Sequence, residues 1–189
     1  MKTTVCAVCM LLTCLTFRAN AQDQSSPENP SNDPDNLAKE YFSQIMGVAA
    51  ASTASTKMYQ FIYDWIGTPY RLGGTTKKGI DCSKFAAELY EQVFNTTIGY
   101  NSRNIYSKVD KVSKNNLQPG DFVFFKIRSR NITHIGVYIG DNRFAHASSS
   151  RGVMISDLED AYWKRYYFNG GRALVADAET ANIEENTVD

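Results

Sequence analysis

Cysteine and histidine are scarce in this chain, which carries four of the first and two of the second in 189 residues. The cysteine shortage is deeper than the count shows, because Cys6, Cys9 and Cys14 all lie within the first 21 residues. That stretch has Lys2, an apolar run from Val5 to Phe17 and the small-x-small sequence Ala19-Asn20-Ala21, the pattern of a secretory signal cleaved after Ala21. The run is too short to span a bilayer, which argues against a membrane anchor. A lipoprotein signal would cut before Cys14, but Thr13 stands where a smaller residue is usual, so that reading fits less well. Cleavage would leave Cys82 as the one cysteine, and no intramolecular disulfide would be available. A lone thiol in an oxidising exterior points to a reactive role, the alternative being a small buried hydrophobe.

Charge of one sign is missing from both ends. Asp23 to Asp35 holds four acids and no base, and Asp177 to Asp189 holds five more, so residues 22–36 and 177–189 read as a disordered linker and a disordered acidic tail. Between them, residues 36–176 carry 18 Lys and Arg against 11 Asp and Glu, although the whole chain sums to zero. A basic body favours an anionic partner such as a carboxylate-rich substrate. Export, and the lack of an aromatic-and-basic recognition motif, argue against nucleic acid.

The linker, "QDQSSPENPSNDPDN", has three prolines and no large apolar side chain. Residues 37–176 suffice for one domain. Apolar spacing predicts helices over Leu37–Ala51, Lys57–Ile66 and Asp81–Phe94, the last being the best formed. The second half changes to short β-branched or aromatic runs at 121–127, 134–140, 143–148, 152–157 and 172–176, separated by turn residues. Helices followed by closely spaced strands indicate an α+β fold with an antiparallel sheet.

Asp81 is a good helix N-cap, and Phe85, Leu89 and Val93 follow Cys82 at spacings of three and four. Cys82 is thus expected at the first helical position, facing the sheet, where the helix dipole lowers a thiol's pKa and favours the thiolate nucleophile. The base must be one of two histidines, and hairpin register decides whether they cooperate. A two-residue loop at Asp141-Asn142 pairs Gly140 with Arg143 and sends His146 to the face away from His134. A three-residue loop with Asn142 left-handed pairs Ile139 with Arg143 and His146 with Gly136, so both imidazoles share a face. Burial favours the second, because it gathers Ile135, Val137, Ile139, Ala145 and Ala147 on the other face. Gly136 then leaves room for a ring or a helix terminus.

"GTPYRLGG" at 67, "GIDCSKF" at 79, "LQPGDFVFF" at 117, "THIGVYIGDNRFAHAS" at 133 and "YWKRYY" at 162 together resemble the NlpC family of bacterial cell-wall peptidases, in particular its secreted murein endopeptidases. The resemblance runs from about Lys57 to Val175. It implies a papain-like α+β fold whose cysteine-bearing helix packs on an antiparallel β-sheet. It further implies Cys82 as nucleophile, His134 as general base and His146 as the polar member that orients His134. Tyr70 would help bind the oxyanion with the Cys82 N–H, and Asp81 and Ser83 would help hold the substrate peptide. The implied substrate is a stem peptide of peptidoglycan, cut at a bond made by or beside a diamino acid. The protein would act as a monomer in the periplasm or cell envelope, without a cofactor.

Lys84 departs from the family's usual glycine and puts specificity in question. Residues 99–112 match poorly, with Arg103 as their one plausible landmark. "GGTTKKG" at 73–79 lacks the residue order of a phosphate loop. A zinc site of Cys82, His134 and His146 is conceivable, but a helix-terminal thiolate needs no metal. The sequons at Asn95 and Asn131 are chance matches. Two other functions use the same groove: a catalytically silent module that binds wall peptides, and an amidase or acyltransferase with the same cysteine and histidine.

Overall fold

The computed structural model describes residues 34–46 and 53–173. The residues read as a signal sequence, most of those read as a linker and those read as an acidic tail lie outside the described residues. Two helices come first, α1 (Pro34–Met46) and α2 (Thr53–Trp65), followed by a minimal hairpin of β1 (Thr75–Thr76) and β2 (Gly79–Ile80). Then come α3 (Cys82–Phe94), α4 (Ser102–Lys108) and β3 (Asp110–Val112). The remainder is β4 (Phe122–Phe125), β5 (His134–Gly140), β6 (Arg143–Ser148), β7 (Gly152–Asp157), α5 (Ala161–Tyr166) and β8 (Tyr167–Arg172). Six strands form one antiparallel sheet in the order β3-β8-β4-β5-β6-β7.

Both faces of the sheet are covered, which is why β4 reads as an unbroken apolar run, Phe-Val-Phe-Phe, with all four residues buried. Phe122, Phe124, Ile135, Val137, Ile139, Ala145 and Ala147 turn one way, toward Phe85, Ala86 and Leu89 of α3 and Met58, Tyr59 and Ile62 of α2. Val123, Phe125, Phe144, Leu158 and Trp163 form a smaller cluster on the opposite face, closed by α5. Alternation along β4, β5 and β6 therefore sorts side chains between two cores rather than between core and solvent.

Several expectations are corrected. α1 begins at Pro34, three residues inside the segment read as linker, because proline is favoured in a helix's first turn, where its missing N–H costs nothing. The last described strand is Tyr167–Arg172, which pairs with β4 and β3 and includes only Arg172 of the run read as a strand at 172–176; residues 174–176 of that run lie outside the described residues. α4, β3 and the β1-β2 hairpin were not foreseen, and α4 falls within the poorly matching segment. There Asn101 caps the helix, its side-chain oxygen accepting from the N–H groups of Arg103 and Asn104.

The β5-β6 connection reaches the expected register by an unexpected route. Gly140 does pair with Arg143 across a two-residue turn, with Asp141 (φ 47°) and Asn142 (φ 58°) both left-handed. The register then shifts between Tyr138 and Gly140, so that Tyr138 faces Phe144 and Val137 faces Ala145. Ile139 is the extra residue, and continuing this pairing sets His146 opposite Gly136. The Ile139 carbonyl, displaced from the ladder, accepts the Tyr59 hydroxyl of α2 at 2.9 Å. The bulge does what a three-residue loop was expected to do.

Candidate active site

Asp81 sets the start of α3. Its backbone is extended (φ −93°, ψ 170°), and its Oδ1 accepts the Lys84 N–H and the Ser83 hydroxyl, each at 2.8 Å. Oδ2 accepts the Gly73 N–H at 2.9 Å, which ties the helix start to the preceding loop. Asp81 and Ser83 are both buried and bonded to each other, so in this structure they build the platform under Cys82. Tyr70 is brought alongside by a bridge to Ile80.

Cys82 is the first residue of α3 and only 7% exposed. The backbone amides of Ile135, Ser83 and Cys82 lie close enough to its sulfur to favour the thiolate. Ile135 directly follows His134, so the helix terminus abuts the strand end that carries the imidazole. Burial nevertheless pushes the thiol up to about 11; the three amides pull it down and the neighbouring Asp81 carboxylate adds to the rise. This corrects the expected lowering by the helix terminus, since removing water from a charge outweighs partial dipoles at a buried site. Tyr70, half-buried, is also raised, by burial first and then by Cys82 and Asp81, so its phenol keeps its proton and remains a donor.

His134 opens β5 and His146 lies in β6, both buried and both on the Trp163 face of the sheet. His134 Nε2 lies 2.9 Å from His146 Nδ1, and His146 Nε2 lies 3.0 Å from the Ser156 hydroxyl. Burial pushes His134 down to about 4, and His146 well below its ordinary value, the latter also through His134 and Arg151. Both rings are therefore neutral, and one proton arrangement satisfies the chain while leaving His134 Nδ1 as an acceptor. In it His134 Nε2–H donates to His146 Nδ1, and His146 Nε2–H donates to Ser156 Oγ. Among the described residues no hydrogen bond joins the sulfur to an imidazole, and the two rings bond to each other rather than converging on a shared ion. No group of three or more potential metal ligands occurs among the described residues.

Two residues escaped sequence reasoning. Ser156 holds the far nitrogen of His146; its place in β7, opposite Phe144 and on the histidine face, follows only from register. Trp163 of α5 stacks on His134 (5.5 Å between centroids, 24° between planes) and meets His146 edge-on at 4.8 Å. The "YWKRYY" motif was the available signal for it. Phe144 stacks on His146 at 4.9 Å and fills the room that Gly136 leaves: a Cβ there would stand 2.5 Å from the Phe144 ring. Among the described residues no hydrogen bond joins Lys84 or Arg103 to either imidazole.

A cysteine at a helix N-terminus, set against the strand end that bears a histidine, on an antiparallel sheet with a second polar ring behind the first, is the layout of papain-like cysteine peptidases. Residues 67–172 match the NlpC/P60 family, and the chain belongs to it. Over 111 residues the chain is 43% identical to the probable endopeptidase NlpC homolog of Haemophilus influenzae. It is equally similar, over the same length, to the murein DD-endopeptidase MepS/murein LD-carboxypeptidase of Escherichia coli K12. Each alignment covers 59% of this chain and 58% of the relative, so the chain spans a little over half the length of these proteins. An NlpC/P60 family protein from Bacillus cereus superposes with a TM-score of 0.59 at 28% identity, over 67% of this chain and 42% of that one.

Proposed function

We propose that this protein is a cysteine endopeptidase of the bacterial cell envelope, hydrolysing an amide bond in peptidoglycan stem peptides or their cross-links. The observation that carries the reading is the directed chain from His134 through His146 to Ser156, which leaves one imidazole nitrogen unengaged at the strand end that Cys82 abuts. The relatives' names, endopeptidase and murein endopeptidase, agree with it.

Because thiol and imidazole start neutral, proton transfer accompanies attack. As sulfur bonds to the substrate carbonyl carbon, its proton passes to His134 Nδ1. The resulting cation is held by its Nε2–H bond to His146, whose own orientation depends on Ser156. The Tyr70 hydroxyl and the Cys82 N–H donate to the oxygen that becomes negative. His134 then protonates the departing amine, the carbon–nitrogen bond breaks, and a thioester remains. Water attacks the thioester carbon, giving one proton to His134; the carbon–sulfur bond then breaks, the sulfur takes that proton back from His134, and the carboxylic acid and the thiol are restored.

Purified cell walls should release peptide fragments with the wild-type protein and none with Cys82→Ala, while circular dichroism of the two stays the same. Undiminished release by the variant would overturn the reading. The elevated thiol pKa favours one other reading, a silent module that binds wall peptides in the same groove. Mass spectrometry after acid quenching separates the two: a substrate-derived thioester on Cys82 belongs only to the enzyme.

A further inference from the structure

In the proposed hydrolysis, proton transfer from Cys82 leaves a positive ring in an apolar place. The buried side chains clustered on the histidine face of the sheet are Val123, Phe125, Phe144, Leu158 and Trp163, none of them charged. The hydrogen-bond partner His146 is neutral, and burial lowers the pKa of His134 with no carboxylate raising it in return. Around the ring stand Cys82 of α3, His146 of β6 and, on the walls of the cavity of about 390 Å³ that His134 shares, Arg151, Asp160 and Tyr162. Arg151 and Asp160 are both exposed, so water and salt screen their charges. A buried imidazolium without a counter-ion is costly. A neighbour that attracts the cation more than the neutral ring therefore speeds its formation.

Trp163 is placed to be that neighbour. Its indole plane lies 24° from the plane of His134 with 5.5 Å between centroids, within the range of about 6 Å over which a ring's negative face attracts a cation. Tryptophan is the strongest of the aromatic side chains in this respect, and the attraction grows where water is excluded, as it is around an indole only 7% exposed. Phe125 packs on the indole at 4.8 Å, and Phe144 meets it edge-to-face at 5.1 Å and 87°. The backbone on either side of the indole is anchored as well. Leu158 N–H donates to the Asn142 carbonyl in the β5-β6 turn at 2.7 Å, and Lys126 N–H, just past β4, donates to the Tyr166 carbonyl at 2.9 Å.

We propose that Trp163 is a positioning residue for catalysis, its indole face holding the His134 ring and attracting the imidazolium that forms as the Cys82 proton arrives. The proposal deepens the peptidase reading and rests on it for that step. As the sulfur–hydrogen bond breaks and the bond to Nδ1 forms, the ring gains one positive charge without leaving its place against the indole. The resting ring has no net charge to attract, so the interaction grows along the reaction and belongs to kcat rather than KM.

Trp163→Leu would remove the π face together with part of a packed cluster, so the decisive variants keep the indole's shape. Mono-, di- and trifluorinated tryptophan are placed at position 163 by nonsense suppression, each fluorine drawing electron density from the face. With a defined wall peptide as substrate, kcat should fall stepwise, roughly tenfold over the series, with KM unchanged. A second readout needs no activity. In Cys82→Ala carrying the same tryptophans, ring nitrogen chemical shifts report protonation of His134 at pH 4, which should drop from about half with the native indole to about a tenth with the trifluorinated one. A flat kcat overturns the proposal. So does a kcat that falls while protonation stays constant, since that marks a contact with substrate instead. If the wild-type protein hydrolyses no wall peptide, the peptidase reading fails and protonation alone decides: a stepwise drop keeps the hold of Trp163 on the imidazolium, and a constant value removes it.

Discussion

A thiol pushed up to about 11 beside an imidazole pushed down to about 4 does not rest as an ion pair. In solution, iodoacetamide should label Cys82 slowly at pH 7, with a rate that climbs above pH 9 rather than levelling off there; a midpoint near pH 6 would show a preformed thiolate instead. Ser156 makes the second prediction at this scale. Ser156→Ala leaves the buried His146 Nε2–H without an acceptor, a loss of about 1–3 kcal/mol for such a group. kcat should fall by roughly tenfold to a hundredfold with KM nearly unchanged, as for loss of a group that orients a reactive imidazole, and Ser156→Thr should restore much of it. Equal activity of serine and alanine would detach Ser156 from the site. Asp81 teaches a different lesson. Its three hydrogen bonds, to Lys84, Ser83 and Gly73, are all internal, so Asp81→Ala should cost about 1–2 kcal/mol by loss of the cap alone, measurable in urea unfolding.

Among the elements, the β5-β6 hairpin decides whether the histidines meet. Strand side chains alternate with period two, so one added or removed residue sends a whole set to the other face. Deleting Ala145 from β6, with the Asp141-Asn142 turn and the bulge kept, would set His146 opposite Val137 and carry it onto the α3 face, away from His134. Wall hydrolysis should vanish, whereas deleting one residue from the turn between β6 and β7 leaves this pairing in place. The bulge itself is held by Tyr59, and Tyr59→Phe strands a buried carbonyl, so thermal unfolding should show a loss of about 1–3 kcal/mol. Helix α3 was legible in full because its cap and its three-and-four apolar spacing are local signals. The bulge was not, because a strand with one extra residue has the same composition and alternation as a strand with a longer loop.

At the scale of the whole molecule, two cores back to back on one sheet exclude water from both imidazoles, and this sets the acid limit of stability. His134 titrates at 6.5 when unfolded and at about 4 when folded. The unfolded chain therefore binds more protons in that window, and stability is complete above pH 6.5 and is lost as pH falls toward 4. The loss is on the order of 3 kcal/mol for this ring, with His146 acting in the same direction. At the alkaline end the raised Cys82 thiol has the opposite sign: stability is lost as pH climbs from 9 toward 11. Melting temperatures should thus decline on both sides of neutrality. His134→Phe should flatten the acid limb and Cys82→Ala the alkaline one; limbs that survive both substitutions would assign the transitions to other groups.

Order and spacing along the chain were enough to determine that Cys82 heads a helix, that His134 and His146 belong to adjacent strands, and that the two rings share a face, since each depends on local caps, periodicity and the demand to bury apolar side chains. Tertiary structure alone decided that the histidines lie across the sheet from the body of α3, that Ser156 and Trp163 hold them, and that the Cys82 thiol is pushed toward its protonated form. Those outcomes depend on how much water the packed elements exclude, and desolvation is a property of the assembled volume, which no local spacing records.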